Sequence, residues 1–183
     1  MRSLRLSAQQ IQVILKAVDN AYPHEACGII GGRDGDAIRI IPVANVAENR
    51  ESHYRLDPEE QLQALLSLEA EHLEWIGVFH SHPNGKPIPS LDDIQDARLN
   101  TPNLIHLIVG MRNRQPELQA WHINNGQVDP VDLLISKQKS ETDSPASRTE
   151  IWAVLFAVLV GVIVLLAISF ILLPPAPPIP TPQ

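Results

Sequence analysis

Apolar residues recur every three or four positions through the first part of the chain. Ile11, Ile14, Leu15 and Val18 share one face of residues 7–20, and Ser7 stands where an N-cap belongs. Tyr22-Pro23 ends that pattern. The period then changes. Cys27-Gly28-Ile29-Ile30-Gly31-Gly32 reads as a short strand, residues 33–36 as a turn, and residues 37–47 as a second strand. Residues 48–53 are polar and read as a loop. Asp57-Pro58 opens a second helix, with Asp57 as N-cap and Pro58 at the first helical position. Leu62, Leu65, Leu66, Ala70 and Leu73 form its expected apolar stripe, and Glu59, Glu60, Glu69, Glu71 and Glu74 its solvated face. Residues 75–79 are apolar and predict a buried strand. Residues 90–100 predict a third helix, and 104–109 and 118–123 two further strands. Asn124-Asn125-Gly126 is a tight turn leading to Val128. Helices interleaved with strands, without a fixed repeat, predict a mixed α/β domain over residues 1–135.

The pattern breaks after that. Residues 136–150 are rich in Lys, Ser, Thr and Asp and read as a flexible linker. From Ile151 to Leu173 no residue is charged, and Ser169 is the one conventionally polar side chain. At about 1.5 Å per residue this run spans a hydrocarbon core of roughly 30 Å. It is expected to be a C-terminal transmembrane helix, with residues 174–183 as a proline-rich tail. The N-terminus does not read as a signal peptide, because its early apolar residues are amphipathic rather than continuous. Lys137, Lys139 and Arg148 precede the span, and no Lys or Arg follows it. The positive-inside rule therefore predicts a single-pass membrane protein with its folded domain in the cytoplasm.

Charge and cysteine usage narrow the classes. The chain of 183 residues has a net charge of −7, which argues against a general nucleic-acid binder. Its single cysteine excludes an internal disulfide.

The densest chemistry lies in His80-Ser81-His82 and the residues up to Asp93. Strand alternation sends His80 and His82 to one face and Ser81 to the other. Prolines at 83, 87 and 89 stop the strand and stiffen a loop. Ser90 is an expected N-cap, which places Asp93 in the first turn of the next helix. A loop that folds back would bring Asp93 to both imidazoles. Two His, one Asp and an open fourth position describe a catalytic zinc site rather than a structural one. Iron and manganese are alternatives. A plainer reading also exists: a strand-end histidine pair and a capping box of the Ser-x-x-Asp kind. Cys27 has no identifiable partner base and reads as a small buried residue. His106, in an apolar strand, reads as a hydrogen-bonded core residue. Asp92 reads as a helix N-terminal charge.

The pattern His80-x-His82, seven residues, Ser90, two residues, Asp93 resembles that of the JAMM (MPN-plus) metalloproteases. Glu25-Ala26-Cys27-Gly28 matches the Glu-x-Cys-Gly run of that family's bacterial branch, and residues 45–49 and 54–58 look like that branch too. The resemblance covers roughly residues 4–125. It implies a curved β-sheet flanked by helices. It implies zinc held by His80, His82 and Asp93, with Glu25 as general base and then acid, and Ser90 steadying the oxyanion. It also implies hydrolysis of a peptide or isopeptide bond, at the C-terminal glycine end of a ubiquitin-like or sulfur-carrier protein. The chain is compact after Asp93, which favours a small carrier over polyubiquitin. The rivals are a catalytically silent, membrane-tethered scaffold of the wider MPN type and an adaptor whose metal is only structural.

Overall fold

The computed structural model describes residues 3–136 together with Phe156, Leu159 and Val160. The chain divides into two units, Met1–Gln138 and Lys139–Gln183. In the first unit the elements run β1 (Ser3–Ser7), α1 (Ala8–Ala21), β2 (Cys27–Arg33), β3 (Asp36–Val43), α2 (Pro58–Ala70), β4 (Glu74–His82), α3 (Leu91–Asn100), β5 (Ile105–Gly110), β6 (Glu117–Asn124) and β7 (Gln127–Ser136). One 3-10 turn, Arg112–Arg114, joins β5 to β6. The expected linker, membrane span and proline tail lie outside the described residues, Ser136 and the three isolated positions apart. Among the described residues no helix is long and apolar enough to cross a membrane.

The helix starts follow their caps. Ser7 accepts from the Gln10 N–H and Gln10 reaches back to the Ser7 N–H, a reciprocal capping box. Asp57 Oδ1 accepts from the N–H groups of Glu59 and Glu60 at the head of α2. The β2–β3 and β6–β7 turns place Asp34-Gly35 and Asn125-Gly126 at positive φ, where Gly and Asn or Asp are tolerated.

The sheet order is β1-β3-β2-β4-β5-β6-β7, closed into a barrel. Neither β1 nor most of β7 stands out as a strand in the sequence. β1 is short, and it is recruited by pairing in parallel with β7 from Ser3↔Asp132 to Ser7↔Ser136. Its other edge meets β3 at one pair, Arg5↔Asp36, where the two side chains also form an ion pair. The expected strand 37–47 stops at Val43, because the chain leaves the sheet there for the loop over the site.

Alternation along the strands separates two apolar clusters. Ile30 and Phe79 join α1 residues Ile11, Ile14 and Val18 in one. Ile29 and Val78 join Ala64 and Leu68 of α2 in the other. This corrects the expected stripe of α2. The helix buries Ala64 and Leu68, at 1% exposure for Leu68, and leaves Leu62 and Leu66 out at 55% and 49%. The reason is Gly31. A Cβ there would lie 2.2 Å from Leu68 Cδ2, so Leu68 packs on bare backbone and sets the helix's rotation.

β4 and β5 are parallel, with His80 opposite Ile108 and His82 opposite Gly110. Parallel neighbours need a crossover, and residues 83–104, including α3, supply it. The site therefore lies beyond the C-terminal end of a strand, where crevices in α/β sheets bind ligands.

The rotation of α2 is testable. Leu68→Ala should lower unfolding free energy by about 2–5 kcal/mol, the usual range for a buried leucine. Leu66→Ala should stay within about 0.5 kcal/mol. Urea unfolding followed by circular dichroism checks both, and equal losses would mean that the original stripe faces inward.

Candidate metal centre

His80 and His82 end β4 on the same face as Val78, while Ser81 turns to the other. The following loop is clamped from several sides. Met111 N–H and Gly85 N–H both donate to the His82 carbonyl, at 3.0 and 3.2 Å. Trp121 Nε1 donates to Pro87 O at 2.8 Å. Gly110 lies so close beneath that a Cβ would sit 2.6 Å from Pro87 N. Ser90 then caps α3. Its hydroxyl oxygen accepts from Asp93 N–H at 3.1 Å, and its own N–H donates to Asp93 Oδ2 at 2.7 Å. This box, with Asp in place of the usual Glu or Gln, fixes where Asp93 points.

The three side chains converge. His80 Nε2 and His82 Nε2 are 3.2 Å apart. His80 Nε2 lies 3.4 Å from Asp93 Oδ1, and His82 Nε2 3.3 Å from Asp93 Oδ2. Bonds of about 2.0–2.1 Å in a tetrahedron set neighbouring donors about 3.3 Å apart, so the triangle has the dimensions of a zinc ligand set. His82 Nδ1 is 2.9 Å from the Lys86 carbonyl, to which it can only donate, so in the neutral ring Nε2 carries the lone pair that a metal takes, and only the charged ring donates from Nε2 to Asp93. Tyr54 stacks on the His80 ring at 4.3 Å and 18°. The cluster comprises these three donors, and Glu25 is not among them.

Glu25 is nonetheless nearby. The β2–β4 register pairs Cys27 with His80, and it continues as Ser81 N–H donating to Ala26 O at 3.0 Å. Ala26 N–H in turn donates to Ser81 Oγ at 2.9 Å. Glu25 thus stands opposite His82, buried, with Oε2 lacking any hydrogen-bond partner. Burial pushes its carboxyl up to about 7, with Asp93 adding to the rise and His82 opposing it. Burial also acts on Asp93, but hydrogen bonds from His80, His82 and the Ser90 N–H outweigh it and hold that carboxyl far below its ordinary value. Burial lowers His80. Burial also acts to lower His82, but the Asp93 hydrogen bond and charge, the Lys86 carbonyl and the Glu25 charge together outweigh it and raise the ring above its ordinary value.

Residues 7–124 match the family described as prokaryotic homologs of the JAB domain, Prok-JAB. The chain belongs to this family. It is 34% identical over 134 residues to a desampylase of Pyrococcus furiosus, covering 73% of this chain and 91% of that protein. It is 29% identical over 136 residues to the CysO-cysteine peptidase of Mycobacterium tuberculosis, covering 72% and 91%. A solution structure of a Desulfitobacterium hafniense protein aligns with a TM-score of 0.67 at 28% identity, covering 75% of this chain and 95% of that one.

Within this Prok-JAB domain the other candidates fall into place. Cys27 is buried, its thiol donates to Val43 O at 3.4 Å, and burial with the nearby Glu25 charge pushes it up to about 12. It is packing, not a nucleophile. His106 is buried, with Nε2 3.4 Å from Thr101 Oγ1, and burial lowers it to about 4. Asp92 is exposed at the head of α3, as its sequence position implies, but it also pairs with His53 Nε2 at 2.9 Å. The loop contacts of His53, Tyr54 and Asn45 were not legible as site features. The signals for them are the likeness of residues 45–49 and 54–58 to the bacterial branch and the aromatic residue Tyr54.

Ser81 gives the prediction. It is fully buried, and removing its hydroxyl strands the Ala26 N–H. Ser81→Ala should cost about 1–3 kcal/mol of stability, the penalty for an unsatisfied buried donor. Thermal unfolding measures it, and an unchanged midpoint would show that the strand pairing beside Glu25 does not depend on this bond.

Proposed function

We propose that this Prok-JAB chain is a zinc-dependent metallopeptidase of the JAMM type. Its substrate is a ubiquitin-like or sulfur-carrier protein, cut at the peptide or isopeptide bond beyond its C-terminal glycine. The observation that carries the reading is the donor triangle of His80, His82 and Asp93 with the unpartnered Glu25 Oε2 on the residue opposite His82. Relatives named as a desampylase and a CysO-cysteine peptidase support the substrate class.

His80, His82 and Asp93 would hold the ion. Zinc bound there supplies Lewis acidity toward a carbonyl oxygen and toward water. The chain's own residues do the rest. Asp93 contributes a full negative charge at neutral pH. Lys86 O keeps His82 in the tautomer that offers Nε2. Glu25 accepts the proton of the attacking water on its free carboxylate oxygen and returns it to the departing amine nitrogen. An ionisation raised to about 7 suits a group that must do both. Ser90 Oγ already accepts from Asp93 N–H, and its hydroxyl hydrogen is the donor for the developing oxyanion. Only residues 101–104 separate α3 from β5, so the substrate is recognised by the rim of the site itself.

Two variants separate binding from proton transfer. Glu25→Gln should cut hydrolysis of a carrier protein extended past its glycine by about 10²- to 10⁴-fold, the range for a general acid–base group, while zinc content stays near that of the wild type. Asp93→Ala should lose both activity and most of the zinc. Unchanged cleavage by Glu25→Gln would reject the mechanism. A zinc-loaded wild type that cleaves no carrier or peptide would leave the scaffold reading standing.

The same reading includes location. Residues 151–173 anchor the chain in a single pass, with the peptidase domain on the cytoplasmic side, supported by Lys137, Lys139 and Arg148 ahead of the span. Protease added to intact cells or spheroplasts should spare the domain. Digestion under those conditions overturns the orientation.

A further inference from the structure

The loop between β3 and α2 touches the site at several points, and one side chain joins them. Asn45 is half-buried and uses its whole amide. Its Nδ2 donates to Glu25 O and to His53 O, both at 3.0 Å. Its Oδ1 accepts from Ala47 N–H at 3.0 Å and from Arg55 N–H at 3.1 Å. The Glu25 N–H, on the other side of that residue, donates to Arg50 O of the same loop at 2.7 Å. Glu25 lies outside β2, so no strand ladder fixes its backbone. The loop does this instead. The loop also reaches the metal ligands: Tyr54 stacks on His80, and His53 pairs with Asp92, the neighbour of Asp93.

We infer that Asn45 is a positioning residue that ties the Glu25 carbonyl to the His53 carbonyl and so fixes the Glu25 side chain relative to His82 and Asp93. The inference rests on the reading of Glu25 as the acid–base group. Asn45 is not among the three metal donors. It acts by denying the Glu25 backbone alternative dihedral angles. An unanchored backbone lets a side chain with three rotatable bonds swing, and misplacement by about 1 Å can cost roughly 10²-fold in rate.

The test uses the full chain in detergent with zinc bound. Asn45→Asp keeps both acceptor bonds to Ala47 and Arg55 but removes both donations. It should lower kcat about tenfold or more, with KM within about twofold and zinc content equal to wild type. It should also speed hydrogen exchange of the Glu25 amide about tenfold or more, while the amides of β4 stay protected. Asn45→Gln, which keeps the donors on a longer arm, should lose less of both. If Asn45→Asp does not fold, Asn45→Gln carries the test, with a loss confined to kcat and faster exchange at Glu25. Wild-type kcat and Glu25 exchange in the folded variant would overturn the inference. So would a loss in which zinc, KM and melting temperature move together with kcat, since that is a general structural defect. The exchange measurement needs no substrate, so it reads the positioning even if no carrier is cleaved.

Discussion

One carboxylate serves two masters. Asp93 accepts the N–H of Ser90, which closes the first turn of α3, and the same group lies against two imidazole nitrogens. A helix N-terminus and a cation site are both attracted to negative charge, so the two demands agree in sign. They also agree in geometry. The capping box fixes the Asp93 rotamer before any ion is involved, and the parallel crossover brings the helix to the ends of β4 and β5. The donor triangle is therefore held by ordinary backbone hydrogen bonds. An ion would find its ligands already at the right spacing.

The second carboxylate is treated in the opposite way. Glu25 is buried like Asp93, but its carboxylate has no helix end and no hydrogen-bonding imidazole. Burial, with Oε2 unsatisfied and the Asp93 charge nearby, favours the protonated form. Two neighbouring acids are thus shifted in opposite directions, Asp93 down and kept ionised, Glu25 up to about 7. That division is the pattern expected where one group binds and the other moves protons.

Much of this was legible in the residues. Period-two alternation placed His80 and His82 together, and Ser90 announced the helix that carries Asp93. The three helices and most strands followed from caps and periodicity. The missed features share a cause: they depend on contacts between distant segments. Leu65 fits two stripes on α2, and only Gly31, brought beside it by the sheet, decides for Leu68. β1 is five residues of mixed polarity that become a strand because β7 lies next to them. Asn45 begins a stretch that resembles the bacterial branch, but what its amide bonds appears only when the fold sets it between Glu25 and His53. Local pattern reports on the element, whereas these choices are made by the neighbour.

The pairing of β1 with β7 bears on how the barrel comes into being. Ser136 Oγ donates to Leu6 O across 130 positions of chain. Contacts of such separation form late, because the intervening loop entropy must first be overcome. During synthesis from the N-terminus, β1 has emerged long before its principal partner exists. Until residue 136 is released the sheet has two open edges, each a template for pairing with a stranger. The growing chain is thus most exposed to mispairing in the interval before β7 is available to close the barrel.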